Sequence, residues 1–301
     1  MHPKIKWKGK ERDMLEFAKT PPKGWNSWDV YGASVTEEEV KRNADIMAEK
    51  LKKYGWNYVV VDIQWYEPGA ESAAYRKFAD LKIDEYSRVL PAENRFPSSA
   101  DGVGFAPLAE YVHQLGLKFG IHILRGIPRQ AVHGRMHIKG TDKTADQIAI
   151  NSICPWNSDM YGVDMSIPEG QLYYDSLMEL YASWGVDFIK VDDIAYSTIY
   201  RDSHRKEIEG IRKAIDKTGR DIVLSLSPGP ARLQDGSFLQ KTANMWRLTD
   251  DFWMSGNCCM ICLTAVIIGH HLFVKETGLI VTCFHWGILE SVQVNVERQT
   301  V

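Results

Sequence analysis

The densest chemistry in the chain lies in the stretch from Asp187 to Ile194, which reads Asp-Phe-Ile-Lys-Val-Asp-Asp-Ile. Phe188, Ile189 and Val191 favour a strand, and the run stops abruptly at Asp192 and Asp193. A short apolar strand that ends in carboxylates is how parallel α/β folds present catalytic groups, because their sites lie at the carboxyl ends of strands. Lys190 precedes Asp192 by two residues, so both side chains share one face of the strand. A cation there keeps Asp192 ionised, as a nucleophilic carboxylate requires. The structural alternative has one Asp capping the next helix and the other solvated or holding a metal.

The elements that must position these groups follow one beat from residue 24 onward: amphipathic helix, Gly, strand, polar residues. The first helix opens at Thr36 with Glu39 three residues on, a capping box. Val40, Ala44, Met47 and Leu51 then make one apolar face, and Gly55 closes it. A strand is expected over Tyr58–Ile63, carrying Asp62. Leu108, Val112 and Leu115 mark the second helix, before the strand Lys118–Ile123. Tyr173, Leu177, Leu180 and Trp184 mark the third, before Phe188–Asp192. Ile208, Ile211 and Ile215 mark the fourth, before Ile222–Ser227. With a first strand near Gly24–Asn26 and a sixth at Met245–Thr249, six strands alternate with helices, which implies βαβ units and a parallel sheet. A doubly wound sheet would want a Gly-rich phosphate loop after an early strand, and the sequence has none. The expected fold is therefore a (β/α)8 TIM barrel.

Strand ends agree with that choice. Asp62, His122 with Arg125, Asp192 with Asp193, Ser225 with Ser227, and Arg247 with Asp250 and Asp251 all fall at carboxyl ends, where they would meet on one rim. Taken singly each is weak evidence; the two serines, for instance, could simply satisfy loop backbone. Two long loops, 64–104 and 125–169, would build the walls of such a pocket. They carry Trp65, Tyr66, Trp156 and Tyr161, aromatic residues suited to flat, hydroxyl-bearing ligands, although core packing is the commoner use of Trp.

Composition narrows the partners. A net charge of −3 over 301 residues gives no reason to invoke nucleic acid or an anionic membrane. The segment 1–19 is charged and lacks an apolar leader core. The longest apolar run, Cys258–Ile268, is shorter than the ~20 residues of a spanning helix. A soluble, cytoplasmic protein is expected. Cys259 and Cys262 form a C-x-x-C without a second pair at zinc-site spacing, so no metal and no cofactor are expected.

Two carboxylates on different strands, Asp192 and one of Asp250 and Asp251, suit glycoside hydrolysis. One attacks the anomeric carbon; the other protonates the leaving oxygen and later activates water. The second must hold a proton near neutral pH, which needs burial or a neighbouring carboxylate. Spacing alone does not decide between retention and inversion. A rival is a metal-dependent barrel enzyme with Asp62, Asp192 and Asp193 as Mg²⁺ ligands.

Five motifs then carry a resemblance: Gly24-Trp-Asn-Ser-Trp-Asp29, Val61-Asp-Ile-Gln-Trp65, Gly120-Ile-His122, Lys190-Val-Asp192 and Trp246-Arg-Leu-Thr-Asp-Asp-Phe-Trp253. In this order they resemble glycoside hydrolase family 27, the melibiase-type α-galactosidase family, which also contains α-N-acetylgalactosaminidases and β-L-arabinopyranosidases. The resemblance implies a retaining mechanism and a barrel followed by a small β-sandwich. It makes Asp192 the nucleophile and Asp251, rather than Asp250, the acid/base. It places Trp28 as a sugar platform, Asp62 as a carboxylate on sugar hydroxyls, and Lys190 and Arg247 as further sugar-binding positions, with Ile63, Trp65, His122 and Ser227 also expected among the substrate contacts. For Arg247 the structural alternative is a salt bridge to Asp251.

Three departures bear on the sugar. Ile63 stands where many α-galactosidases of the family have a second Asp, and His122 where the lysosomal members have Tyr. Ser225-Leu-Ser-Pro-Gly229 replaces the usual Cys-Glu-Trp that reads the 2-position, with Ser227 near a Ser of galactosaminidases. The first expectation is release of terminal α-D-galactose from small or oligosaccharide galactosides. β-L-arabinopyranosides and α-N-acetylgalactosaminides come next, and a truncated, inactive member is the alternative of another class.

The chain is expected to divide into an N-terminal extension (1–20), the catalytic barrel (21–253) and an aberrant tail (254–301). The quoted motifs stop at Trp253. Beyond it only Lys275, Glu276, Glu290, Glu297 and Arg298 are charged, and four of the five cysteines appear. Ordinary codons for Phe273–Val292, read one base earlier, give W-P-D-C-D-M-L, which resembles the family's seventh-strand motif W-x-D-x-D-M-L. A frameshift near codons 250–260 would remove strands seven and eight and the β-sandwich. It would leave an open edge between strands six and one and a poorly folded, inactive product; sequencing the gene there decides it.

Overall fold

The computed structural model describes residues 4–7, 10–13, 18, 21–72, 74–227, 230–248, 280–285 and 288–293. Six strands, β1 (Lys23–Asn26), β2 (Trp56–Val61), β3 (Lys118–Leu124), β4 (Phe188–Asp192), β5 (Val223–Leu226) and β6 (Met245–Trp246), pair in sequence order. Every pairing among them is parallel. Helices α1 (Glu37–Ile46), α2 (Ala106–Gln114), α3 (Pro168–Ser183), α4 (Arg205–Thr218) and α5 (Gly236–Thr242) occupy the connections. This is the strand order of a (β/α) barrel carried through six units, and among the described residues no seventh or eighth parallel strand follows. An antiparallel hairpin, 280–285 and 288–293, meets the outer edge of β1 through Ile288 opposite Trp25 and Leu289 opposite Gly24. The edge of β1 expected to lie open is therefore paired, though antiparallel and over two residues. The tail's cysteine-rich run, with Thr249, Asp250 and Asp251, lies outside the described residues. A second hairpin, Lys4–Trp7 with Lys10–Asp13, forms in the N-terminal segment. Among the described residues no helix is long and apolar enough to cross a membrane.

Local chemistry accounts for the elements. Thr36 accepts from the Glu39 backbone while the Glu39 carboxylate accepts from the Thr36 N–H, which completes the capping box of α1. The apolar face expected through Leu51 exists, but α-helix ends at Ile46. One π-turn (Met47–Leu51) and a 3₁₀ turn (Lys52–Tyr54) carry the chain to Gly55, whose φ of 85° ends the helix. Gly24 is fixed by close approach: a Cβ there would lie 2.1 Å from the Tyr58 carbonyl oxygen. Val40, Ala44, Leu108, Val112, Tyr173, Ile208, Ile211 and Ile215 all pack into the main core between sheet and helices.

The strands end slightly earlier or later than their apolar runs. β2 stops at Val61, so Asp62 and Ile63 stand just past it, at the mouth of the sheet. The loop 125–169 holds structure that no periodicity announced. Ile127–Pro128, Ala149–Ile153 and Met160–Val163 form a three-stranded antiparallel sheet.

The loop 64–104 has no strand core of its own and is organised by Arg95. Its guanidinium is buried and donates to the carbonyls of Ala33 (2.9 Å), Val35 (3.0 Å) and Glu67 (2.9 Å), and also to that of Gln64. Burial pulls Arg95 down to about 10, with Glu67 acting against it. One side chain thus satisfies carbonyls from two loops that flank the site, groups that no water reaches. Arg95→Met leaves those acceptors unpaired. It should cost about 3 kcal/mol or more, read as a lower urea midpoint at unchanged slope.

Candidate active site

The carboxyl ends of β2, β3 and β4 converge on one buried cluster. Lys190 and Asp192, two apart on β4, point to the same face as the alternation requires. Lys190 is opposite His122 of β3 and Ser225 of β5 in the register, so all three share that face. The ammonium of Lys190 lies 2.8 Å from Asp62 Oδ2 and 3.4 Å from Asp192 Oδ2. His122 Nε2 sits 2.9 Å from Asp192 Oδ2, at an angle poor for a hydrogen bond. Asp62 is held from the other side: Asn26 Nδ2 donates to its Oδ2 (2.5 Å), the Ile63 N–H donates to its Oδ1 (2.7 Å), and its own N–H donates to Ser27 Oγ (2.9 Å).

Burial opposes ionisation of Asp192. Lys190, then His122 and Arg247, outweigh it and hold the carboxyl at about 2. Asp192 is thus a buried anion across the physiological range, and among the described residues its Oδ1 has no hydrogen-bond partner. An unpartnered, ionised oxygen at a strand's carboxyl end is what a nucleophile presents to an electrophilic carbon.

The remaining candidates separate. Arg247 is buried and donates to Ser227 Oγ (3.1 Å), while Ser227's N–H donates to Val191 O (2.8 Å), so both line the β5–β6 side of the cluster. Ile63 is buried directly after Asp62, and its peptide bond to Gln64 is cis. Trp28 is half-buried, its backbone N–H donating to Asn26 Oδ1 (2.8 Å), which ties it to the same network. Trp65 corrects the expectation of a substrate contact. Fully buried among Tyr66, Phe105, Tyr181 and Trp184, its indole N–H donates to the His122 carbonyl (2.7 Å). It supports β3 from the core. Asp251, the expected acid/base, lies outside the described residues.

Asp193 and Arg125 also leave the rim. Asp193 takes φ 59° and turns from Asp192, a conformation Asp tolerates better than most residues. Arg125 donates to its Oδ2 (2.8 Å) and to its carbonyl (2.8 Å), and to Glu207 Oε1 (2.9 Å) of α4. This buried clamp fixes the β4–α4 turn. The metal-ligand set Asp62, Asp192 and Asp193 therefore does not assemble. Asp62, His122 and Asp192 do approach within 4.8 Å of one another, but the cation that neutralises them is Lys190, and a divalent ion at the same point would have to displace it. Asn26 and Cys154 are neighbours of the cluster that single-residue reasoning passed over. The buried Cys154 thiol, pushed up by burial, is close enough to Asp193 and Asp192 to feel their charge. Asn26 was legible only as part of the motif around Trp28.

A parallel β/α sheet presents an ionised carboxylate, a lysine and a second carboxylate at its carboxyl end, an arrangement compatible with glycoside hydrolysis. A family profile described as "Alpha galactosidase A" matches residues 162–278, a span that runs past Trp253 into the segment set apart above. An α-galactosidase A from Cellvibrio japonicus is 27% identical over 81% of this chain and 46% of its own length. The Coffea arabica α-galactosidase is 27% identical over 78% and 49%. Among solved structures, a family 27 β-L-arabinopyranosidase from Geobacillus stearothermophilus is 61% identical, with a TM-score of 0.84 over 86% of this chain and 60% of that one. A variant of it, in complex with arabinose, gives 60% identity. This chain spans about half the length of the curated relatives it matches. It belongs to glycoside hydrolase family 27.

The charge balance can be tested through stability. Asp192, held below the ordinary carboxylate range, contributes stability above its unfolded pKa of ~3.9 that is lost as pH falls towards 2. Lys190→Met removes the nearest cation from two buried carboxylates. The variant should be less stable by about 3 kcal/mol or more at pH 7, a loss that shrinks towards pH 4 as Asp192 takes up a proton. Urea melts at several pH values measure this; an equal loss at pH 4 and pH 7 would contradict the balance described.

Proposed function

We propose that the protein hydrolyses terminal β-L-arabinopyranosides, with retention of anomeric configuration, and that α-D-galactosides are its second substrate class. The observation that carries the reading is Asp192 kept ionised by Lys190, with Asp62 alongside and the apolar Ile63 next to Asp62. In this reading Asp192 attacks the anomeric carbon and forms a glycosyl ester. Asp251 protonates the departing oxygen, then deprotonates the water that releases the sugar. Lys190 and Asp62 offer one donor and one acceptor to adjacent sugar hydroxyls, and Trp28 offers a flat apolar face.

The sequence alone ranks α-D-galactosides first. Two observations favour the other order. Identity to the β-L-arabinopyranosidase is 61%, against 27% to the curated α-galactosidases. Arabinopyranose is also galactose without its hydroxymethyl group, and Ile63 can neither donate to nor accept from that group. A buried hydroxyl left unpaired costs ~1–3 kcal/mol, enough to narrow or reverse a preference.

The nitrophenyl β-L-arabinopyranoside and α-D-galactoside separate the two. Ile63→Asp should move the ratio of their kcat/KM values towards galactoside by roughly tenfold or more, and an unmoved ratio removes Ile63 from specificity. Proton NMR of the first-formed sugar should show the substrate's own anomer, and Asp192→Ala should abolish turnover, with azide restoring part of it as the glycosyl azide. An inverted first product would sink the double-displacement reading.

A further inference from the structure

A family of rings leads outward from the buried cluster. Asp62 is bonded to Asn26, and Asn26 to the Trp28 backbone N–H. The Trp28 ring stacks on Tyr75 (centroids 5.5 Å apart, planes at 16°), and Tyr75 packs on Trp156 at 5.5 Å and 43°. Trp156 is 37% exposed and takes no part in the hydrophobic core, unlike Trp28 and Tyr75, which pack against its edge. A large aromatic ring held at the surface, without a core to fill, offers its face to something else.

Both loops that carry the outer rings are anchored. Arg76, next to Tyr75, pairs with the fully buried Glu67, whose Oε1 also accepts from the Gly69 N–H (2.7 Å). On the other side, Asn157 Oδ1 accepts from the Asp159 N–H (2.7 Å), and Asp159 Oδ2 accepts from Gln64 (2.6 Å) and Tyr66 (3.2 Å). The rings are thus set in place before any ligand arrives, which lowers the entropic cost of stacking on them.

We infer that Tyr75 and Trp156, continuing outward from the Trp28 platform of the terminal sugar, form a strip that binds the leaving-group sugar of an oligosaccharide, with Trp156 as the outer platform. The inference rests on the glycosidase reading. A terminal sugar fills the buried cluster, so the rest of the substrate must lie outside it, and the strip is continuous with the cluster through Asn26. The apolar face of a pyranose suits an exposed indole, and a strip built of rings rather than charges tolerates several leaving-group sugars.

The test is binding without turnover, on the Asp192→Ala background. Titration calorimetry would compare arabinose with a β-L-arabinopyranosyl disaccharide, and galactose with raffinose. The parent should bind each oligosaccharide more tightly than its monosaccharide. Trp156→Ala should weaken only the oligosaccharides, by roughly five- to tenfold, the scale of one aromatic contact. Trp156→Phe should keep most of the affinity. Equal loss for monosaccharide and oligosaccharide, no loss at all, or no binding of any sugar by the parent would overturn the strip. If wild-type protein turns over no glycoside while the oligosaccharides still bind through Trp156, the hydrolase reading fails and the strip stands.

Discussion

One ammonium group sets the terms for the site. Lys190 stands between Asp62 and Asp192 in a region from which water is excluded. Two carboxylates buried this close repel each other, and the lysine between them offsets that repulsion. The arrangement depends on topology. Lys190 reaches Asp62 from β4 only because β3 intervenes with Gly120 and His122 in register, and a one-residue slip of β4 would turn Lys190 and Asp192 into the helical layer. The parallel pairing of β2, β3 and β4 is therefore as much a part of the chemistry as the charged residues are.

The walls are held by two guanidinium groups that never meet the cluster's carboxylates. Arg95 gathers carbonyls from the loops after β1 and β2, and Arg125 joins the β4–α4 turn to Glu207. A guanidinium suits this use because its planar fork donates in several fixed directions and keeps its charge when buried. Both are committed to carbonyls, Asp193 and Glu207, and Lys190, His122 and Arg247 are the groups that hold Asp192 low.

Much of this was legible in the sequence. The beat of helix, glycine and strand gave the six parallel strands, and period-two alternation put Lys190 and Asp192 on one face. Alternation also puts Asp193 on the opposite face, which is where Arg125 meets it; listing it with Asp192 as a metal ligand set that rule aside. Trp65 was misplaced for a different reason. A motif says which residue recurs but not which way its ring turns, and Trp65 follows a loop turn where no alternation applies. The antiparallel sheet within 125–169 was missed because its strands are two to five residues long, too short for a period to register. Arg95 was missed because its partners are backbone carbonyls, which every residue carries.

Ile63 connects the charge balance to the choice of sugar. An Asp at that position would add a third carboxylate beside Asp62 and Asp192, shared with the same lysine. It would offer the sugar one more acceptor and would load the cluster with one more buried negative charge. Ile63 gives up the acceptor. Ile63 is instead buried in the main apolar core, so it adds no charge for Lys190 to balance. In the proposed reading, specificity then rests on the hydroxyls that Lys190 and Asp62 can reach, which are common to arabinopyranose and galactose.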